Sequence, residues 1–297
     1  MTFPTFSPRS DDLRRPSLAA MATIGLGIFL DTAAPIRAQE VIGLNRVVER
    51  LASEQPAIGT FTRSPDPDLH FAVIDAQYGD FDLEGVRRTM AAMRVGDNSP
   101  PAVAPIVRIP YAARDAPQEV VNQLLNTGVM GVMFPDIETP DQARSAVASM
   151  RFGNAIPPEP SGLREPDSGN APTYWGLNDD SYRRGADVWP LNPSGQLVAM
   201  LQIESPGGID RLDEILRVPG VGAIFLGPTD LANAIGAEGP NAPQVEVLVQ
   251  QVLGACLAAG VPCGYPIVAA NPEAAARETA RRLAEGFTVL AVMTVSR

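Results

Sequence analysis

Two apolar segments of the chain each run into an acidic residue. Leu201-Gln-Ile is followed by Glu204, and Phe225-Leu-Gly-Pro-Thr is followed by Asp230. Carboxylates at the ends of two neighbouring strands can bind one hard divalent cation and still leave coordination positions for water and substrate. The pair therefore predicts a metal-dependent enzyme, or a protein that has kept the remains of one.

Other residue types that bind metals are scarce in this chain. Cys256 and Cys263 match no zinc-binding spacing, and the only histidine, His70, enters an apolar segment at its N-terminal end. We expect a structural role for His70 and two buried structural thiols, with a single disulfide between them as the alternative. Because the remaining donors are oxygen atoms, Mg²⁺ or Mn²⁺ is expected rather than Zn²⁺.

The composition indicates a globular protein that does not bind nucleic acid. Of the 297 residues, 45% are hydrophobic and 19% are charged, which is enough apolar material for a large core. The formal net charge is −11, and no basic stripe offsets it, so a nucleic-acid partner is not expected.

The N-terminal segment resembles an export signal. Arg14-Arg15 precede the mostly apolar stretch Leu18 to Leu30, and small residues follow up to Ala38. Residues 1–38 are therefore expected to be a signal peptide, with a loose match to a twin-arginine signal, and the mature protein to be periplasmic or secreted. The stretch is too short for a stable membrane span. A disordered or interfacial tail is the alternative.

Residues 39–297 alternate between apolar strand patterns and amphipathic helix patterns, which predicts the α/β class and a (β/α)8 TIM barrel. An open doubly wound sheet is the alternative, but no glycine-rich phosphate turn follows the first strand. The strands are predicted at 58–61, 71–75, 105–109, 129–134, 197–203, 223–226, 261–268 and 287–292. The helices are predicted at 45–54, 83–94, 118–126, from 139 onward, 208–216, 242–259 and 272–285.

Two features depart from a regular barrel. Residues 151–196 lack a clear period and are rich in proline and glycine, so they are expected to form a long loop insertion. This insertion is either a lid over a binding site or a surface excursion held down by its aromatic residues. The sequence also continues for only a few residues after the eighth strand, so the usual final helix is expected to be lacking.

The mouth of such a barrel is built by the C-terminal ends of its strands and the loops that follow them. A single carboxylate at a strand end is more often a helix cap or an ion-pair partner, but several at one mouth favour a functional site. The residues predicted to meet there are Asp75, Gln77, Tyr78, Arg108, Glu204 and Asp230.

These segments resemble the HpcH/HpaI aldolase family, the class II pyruvate aldolases related to the citrate lyase β-subunit. The most specific motifs are Leu201-Gln-Ile-Glu204 and Phe225-Leu-Gly-Pro-Thr-Asp-Leu231, with support from Val107-Arg-Ile-Pro110 and Val73-Ile-Asp-Ala76. The resemblance implies a barrel enzyme that binds Mg²⁺ or Mn²⁺ and cleaves hydroxy-oxo acids to pyruvate and an aldehyde. It also implies a homo-oligomer and a small 2-oxo acid as substrate.

The resemblance assigns roles to individual residues. It implies that Glu204 and Asp230 are the metal ligands and that Arg108 faces the oxygen of the pyruvyl group. Gln202, together with the backbone around Gly227 and Pro228, is implied to line the oxo-acid pocket.

The resemblance fails at the residues that would move a proton. The family has an acidic residue followed by a histidine base where this chain has Gln77 and Tyr78, and the carboxylate that assists the histidine aligns with Asn126. Tyr78 can serve as a base only if its pKa is lowered, or it can act as an acid toward an enolate. We therefore expect weak aldol cleavage, whereas decarboxylation of an oxaloacetate-like acid needs no hydroxyl proton removed and can persist.

Two functions remain from the sequence. The first is a metal-dependent carbon–carbon lyase acting on 2-oxo acids, supported by Glu204, Asp230 and Arg108. The second is an exported, non-catalytic protein that binds metal or a small oxo acid, supported by the replaced base. A citrate-lyase-type CoA-thioester lyase is a narrower alternative, for which no nucleotide pocket is indicated.

Overall fold

Eight parallel strands close into a barrel, as the alternating pattern predicts. The computed structural model describes residues 43–62, 66–78, 81–94 and 100–295, so the predicted signal peptide lies outside the described residues. The strands are β1 (Ala57–Phe61), β2 (Phe71–Asp75), β3 (Ala104–Arg108), β4 (Gly131–Phe134), β5 (Val188–Trp189), β6 (Leu197–Ile203), β7 (Ala223–Leu226), β8 (Cys263–Ala269) and β9 (Val289–Thr294).

The barrel closes where β4 pairs with β6, because the two-residue β5 lies outside the ring and pairs only with β6 among the described strands. At the other junction β1 pairs in parallel with both β2 and β9. All seven residues of β6 are buried, since one face points into the barrel and the other is covered by helices.

The helices between the strands begin and end near the predicted residues. Thr139 caps α4 and forms a reciprocal capping box with Gln142, which explains why the helix begins there. The predicted helix 208–216 is divided in two at Arg211. The helices are α1 (Arg46–Ala52), α2 (Leu83–Ala91), α3 (Gln118–Leu125), α4 (Pro140–Met150), α5 (Ala171–Trp175), α6 (Asp179–Gly185), α7 (Pro206–Asp210), α8 (Leu212–Leu216), α9 (Pro228–Ala234), α10 (Pro243–Ala259) and α11 (Pro272–Glu285), with a 3₁₀ turn at Tyr111–Ala113.

The lead-in helix α1 is tied to the end of the barrel opposite the mouth. The buried Asn45 caps α1 and donates through its side-chain amide to the carbonyl oxygens of Met130 and Gln196, each at 2.9 Å. The Gln196 side chain in turn accepts the N–H groups of Leu44 and Asn45 at 3.0 Å. Since Met130 and Gln196 directly precede β4 and β6, these bonds anchor α1 at the N-terminal ends of the strands.

The insertion at 151–196 is packed down by its aromatic residues and is not a lid. Trp175 is buried and donates from Nε1 to the Gly128 carbonyl at 2.8 Å, and Tyr174 donates to the Met90 carbonyl at 2.9 Å. Tyr182 is also buried, with its ring centroid 4.8 Å from that of Trp175. The insertion contains α5, α6 and β5, so the expectation of a segment without regular structure was wrong.

Three smaller predictions concern the cysteines, the chain end and membrane spans. Cys256 and Cys263 are both buried and free, as predicted. Val295, the last described residue, follows β9 and is not helical. Within the described ranges, no helix combines the length and the apolar character needed to cross a bilayer.

Candidate active site

A cavity of about 780 Å³ opens at the C-terminal ends of the strands. Its size lies within the range of small-molecule sites. Most of the residues predicted from the sequence line one side of it: Asp75, Tyr78, Arg108, Gln202, Gly227, Pro228 and Asp230. Asn241, Tyr265, Glu278 and Arg281 also line the cavity. No residue of the insertion 151–196 lines this cavity, which agrees with its position on the barrel wall.

Glu204 follows β6 and lies beneath the cavity floor, with only 3% of its surface exposed. Its Oε1 atom accepts the backbone N–H of Asp136 at 2.9 Å. Its Oε2 atom is buried and has no hydrogen-bond partner among the described residues. Burial and, to a smaller extent, the nearby Asp230 carboxylate raise the pKa of Glu204 to about 7, with Arg108 offsetting part of the rise. A buried oxygen without a partner is costly unless a ligand satisfies it.

Asp230 lies in the first turn of α9, a helix that the sequence analysis did not predict. The approach of this turn to β6 depends on Gly227, since a Cβ atom there would lie 2.1 Å from Glu204 Oε2. Pro228 follows at the first position of the helix, where its missing N–H costs nothing. Gly227 and Pro228 therefore let the Asp230 turn pack against the Glu204 carboxylate.

Arg108, at the end of β3, binds Asp75 at the end of β2 through two hydrogen bonds. Nε lies 3.0 Å from Oδ1 and Nη2 lies 2.5 Å from Oδ2. The guanidinium carbon lies 5.0 Å from the centre of the Phe61 ring and 5.2 Å from that of Tyr78. Among the described residues Nη1 has no hydrogen-bond partner, so one edge of this fixed cation is available to a ligand in the cavity.

Tyr78 is 64% exposed at the rim of the cavity. Partial burial and the Asp230 carboxylate raise the pKa of the Tyr78 phenol, and Arg108 offsets only part of this effect. Tyr78 is therefore protonated at neutral pH and can donate a proton. The condition under which it would serve as a base, a lowered pKa, is not met.

Asn126 lies at the opposite end of the barrel from Tyr78. The prediction that these two residues of one chain form a proton relay is therefore wrong. Asn126 is the C-cap of α3, and its carbonyl accepts the N–H of Asn170 at 2.9 Å. The reason is topological: each helix runs back along the barrel, so its last residue lies beside the start of the next strand.

His70 lies at the same end of the barrel as Asn126, as predicted. Its Nδ1 atom accepts the N–H of Ile58 at 2.8 Å, which joins the starts of β1 and β2. Burial lowers the pKa of His70, so the neutral form that accepts this bond is favoured. His70 is a structural residue.

Asp75 was predicted to lie at the mouth, with no role of its own. The register of the sheet pairs Asp75 with Arg108 as Cα neighbours. Oε1 of Gln77 and Oε1 of Gln202 are likewise buried and have no partner among the described residues.

The residues of the mouth fit a hard divalent cation. Glu204 Oε2 is an orphaned buried oxygen, and Asp230 and Gln202 supply further oxygen donors nearby. The described residues contain no cluster of three or more His, Cys, Asp or Glu side chains suited to a metal. A donor set of two carboxylates is typical of Mg²⁺, which retains several water ligands, and is unsuited to Zn²⁺.

Comparison with known proteins identifies the family. The family model for "HpcH/HpaI aldolase/citrate lyase" matches residues 85–294. The chain belongs to this family. A 5-keto-4-deoxy-D-glucarate aldolase from Shigella dysenteriae is 30% identical over 258 residues, an alignment that covers 84% of this chain and 90% of that protein.

Solved structures of the family share the fold. An HpcH/HpaI aldolase/citrate lyase family protein from Burkholderia cenocepacia superposes with a TM-score of 0.67 and 27% identity, over 84% of this chain and 93% of that one. An HpcH/HpaI aldolase from Desulfitobacterium hafniense gives a TM-score of 0.62 at 22% identity, over 82% and 88% of the two chains. The family comprises aldolases and citrate lyases that act on oxo acids.

Proposed function

We propose that this family member is a divalent-metal-dependent carbon–carbon lyase that decarboxylates or cleaves 2-oxo acids through a pyruvate enolate. The observation that carries the proposal is the buried, unpartnered Oε2 of Glu204, which lies next to Asp230 beneath a cavity that also contains Arg108. A protein without a ligand at this site would leave a buried carboxylate oxygen unsatisfied at a cost in stability.

Glu204 and Asp230 would hold Mg²⁺ or Mn²⁺, and Gln202 would line the pocket for the oxo acid. When bound, the cation supplies positive charge that orients the substrate's carboxylate and carbonyl oxygens and stabilises an enolate. A 2-oxo acid carries two such oxygens on adjacent carbons, so it can bind there as a chelate.

The chain's own residues would act on the enolate. When the bond between C3 and C4 of oxaloacetate breaks, its electron pair enters the enolate and carbon dioxide leaves. Arg108, fixed by Asp75 and by the rings of Phe61 and Tyr78, places a positive charge beside the developing oxyanion. C3 then takes a proton from the Tyr78 phenol, whose raised pKa keeps it protonated, and the phenolate is reprotonated by solvent.

Aldol cleavage would require a base at the same mouth to remove a hydroxyl proton. Tyr78 is protonated, Asp75 is bound to Arg108, and Asn126 lies at the other end of the barrel. We therefore propose that decarboxylation of an oxaloacetate-like acid exceeds cleavage of 4-hydroxy-2-oxo acids, the reverse of an ordinary aldolase.

The test is pyruvate release from oxaloacetate and from a 4-hydroxy-2-oxo acid, with the mature protein and Mn²⁺. We expect turnover of oxaloacetate above a blank that contains the metal alone, with loss on adding EDTA and in Glu204→Gln. The matched control is Glu273→Gln, an exposed glutamate on α11, which should retain full activity. Absence of turnover with both substrates would contradict a lyase and favour a non-catalytic oxo-acid-binding protein.

A second experiment tests the replaced base. Tyr78→His places an imidazole where the resemblance predicts one, and we expect it to raise cleavage of the 4-hydroxy-2-oxo acid while lowering oxaloacetate decarboxylation. An unchanged ratio of the two activities would show that residue 78 does not move the proton.

We also propose that residues 1–38 direct export, with the mature protein in the periplasm or outside the cell. The Arg14-Arg15 pair and the apolar stretch after it support this. Cell fractionation and N-terminal sequencing of the native protein test it, and an intact Met1 in a cytosolic fraction would contradict it.

A further inference from the structure

Asp136 has an unusual backbone conformation next to Glu204. Its φ angle is +47°, in the left-handed region that residues other than glycine rarely adopt. Among the described residues Glu54 also has a positive φ, but it lies just past the end of α1, where such geometry is common. Asp136 instead lies in the loop between β4 and α4, where no helix end requires this conformation.

This conformation turns two consecutive N–H groups toward the end of β6. The N–H of Asp136 donates to Glu204 Oε1 at 2.9 Å, and the N–H of Ile137 donates to the Gln202 carbonyl at 2.9 Å. The first bond engages one oxygen of the proposed metal ligand. Oε2 is thereby left as the oxygen that a cation can use.

Two side chains hold Asp136 in place through its carboxylate and its carbonyl oxygen. Arg114 Nη1 donates to Asp136 Oδ2 at 2.6 Å and to its carbonyl oxygen at 3.2 Å. The Tyr111 hydroxyl donates to the same Oδ2 atom at 3.0 Å. The guanidinium also compensates the Asp136 charge, which would otherwise repel an ionised Glu204.

We propose that Asp136 is a positioning residue for the metal ligand Glu204, and that Arg114 and Tyr111 clamp it in the left-handed conformation. The clamp is the pair Tyr111 and Arg114, and neither of them nor Asp136 lines the cavity. It fixes the Glu204 carboxylate through a backbone N–H, so its loss weakens cation binding without removing a ligand. The inference rests on the proposed function, since it takes Glu204 as a metal ligand.

A matched pair of substitutions separates backbone geometry from side-chain charge. Asp136→Ala and Asp136→Gly both delete the carboxylate and the clamp, but glycine adopts a positive φ freely and alanine does not. We expect the Kd for Mn²⁺, measured from free Mn²⁺ by electron paramagnetic resonance, to rise about tenfold or more in Asp136→Ala, the range for residues that orient metal ligands. In Asp136→Gly we expect a rise of no more than about threefold, because most of the geometry persists.

Arg114→Met removes the guanidinium that binds Asp136 and leaves residue 136 itself unchanged. This variant tests the same inference if Asp136→Ala does not fold. We expect it to weaken Mn²⁺ binding, and the double variant Arg114→Met/Asp136→Gly to bind as well as Asp136→Gly alone, because no strained residue is left to clamp. In crystal structures of the metal-free variants, the hydrogen bond from the N–H of residue 136 to Glu204 Oε1 should be present in Asp136→Gly and absent in Asp136→Ala.

The outcomes separate this inference from the proposed function. A wild-type protein that binds no Mn²⁺ would overturn the proposed function, and this inference with it. If the wild-type protein binds Mn²⁺ and its Kd equals those of Asp136→Ala and Asp136→Gly, only the positioning role of Asp136 is overturned. Equal losses in alanine and glycine would also overturn it, because they would assign the effect to the carboxylate charge.

Discussion

Arg108 and Arg151 each bind an aspartate through two parallel hydrogen bonds, but they differ in burial and in their other hydrogen-bond partners. Arg151 is completely buried, and it donates to Asp187 at 2.7 and 3.0 Å and to the carbonyl oxygens of Pro157 and Pro160. Arg108 keeps 11% of its side chain exposed, binds Asp75, and has an unpaired Nη1 at the cavity.

The two guanidinium groups differ in how many of their nitrogens donate hydrogen bonds to the protein. Every nitrogen of Arg151 donates to the protein, so the pair links the start of the insertion to its later residues and has no donor left for a ligand. Arg108 is oriented by Asp75 and by two aromatic rings, and its Nη1 is available to a ligand in the cavity, as the proposed function requires. Burial and charge pairing alone therefore do not distinguish a structural arginine from a catalytic one, whereas the unpaired donor does.

The largest expected effect is on stability, from Arg151→Met. It would leave the Asp187 carboxylate buried without a cation, so we expect a loss of about 3–5 kcal/mol in the free energy of unfolding. Denaturant titration measures it. Arg151→Met/Asp187→Leu should recover part of the loss, because both charges are then removed. A loss below about 1 kcal/mol would place this pair with exposed ion pairs.

The next effect is on activity, from Arg108→Met. Removing the charge at the developing oxyanion should lower kcat/KM for oxaloacetate about 10²–10³-fold, the range for loss of one stabilising donor. The melting temperature should fall less than in Arg151→Met, since Asp75 is 33% exposed and water can solvate it. Arg144→Met is the control, because Arg144 is 52% exposed and, among the residues that the structure describes, forms an ion pair only with Asp141. Retained activity in Arg108→Met would show that Arg108 is structural like Arg151.

A smaller effect is the pH dependence of cation binding at Glu204. Because the pKa of this carboxyl is raised to about 7 in the metal-free protein, protons compete with the cation near neutrality. Mn²⁺ affinity should be highest above pH 8 and fall about tenfold per pH unit below 7. Isothermal titration calorimetry at several pH values measures it, and equal affinities at pH 6 and 8 would contradict it.

The contribution of Glu204 to the stability of the metal-free protein should fall as the pH rises, whereas its Mn²⁺ affinity should rise. The pKa of Glu204 in the folded protein lies above its ordinary value of 4.5. Its contribution to the free energy of unfolding is therefore fully present below about pH 4.5 and is lost as the pH rises through 7. Glu204→Gln should abolish this part of the stability profile.

The smallest effect concerns His70, the only histidine in the chain. Burial lowers the pKa of His70 from its ordinary 6.5, so its contribution to stability is present above about pH 6.5 and is lost as the pH falls through the lowered value. A single imidazole signal in nuclear magnetic resonance should therefore titrate below 6.5. Titration at or above 6.5 would contradict the lowering of the His70 pKa by burial.

Much of the barrel was predictable because buried parallel strands are continuous apolar runs. β2 and β6 were predicted with the observed bounds, and Glu204 was recognised as the carboxylate that follows β6. The two short helices of the insertion were not predictable from periodicity, since their five and seven residues are too few to show one. They are held by tertiary bonds such as that from Trp175 Nε1 to the Gly128 carbonyl.

The site was predicted only in part, and the reason differs for each residue. Asn126 was assigned by alignment, although its place at the end of a helix already put it at the far end of the barrel. The Arg108–Asp75 pair depends on strand register, and the left-handed backbone of Asp136 depends on the Arg114–Tyr111 clamp. Neither feature has a signature in the local sequence.

The most direct test of the metal site is a crystal soaked with Mn²⁺ and oxalate, an analogue of the pyruvate enolate, with anomalous diffraction recorded at the manganese edge. We predict one strong anomalous peak that contacts Glu204 Oε2 and the Asp230 carboxylate, with oxalate bound between the cation and Arg108 Nη1. No peak at this position in crystals that bind Mn²⁺ elsewhere, or a peak that does not contact Glu204, would contradict the assignment of these carboxylates as metal ligands.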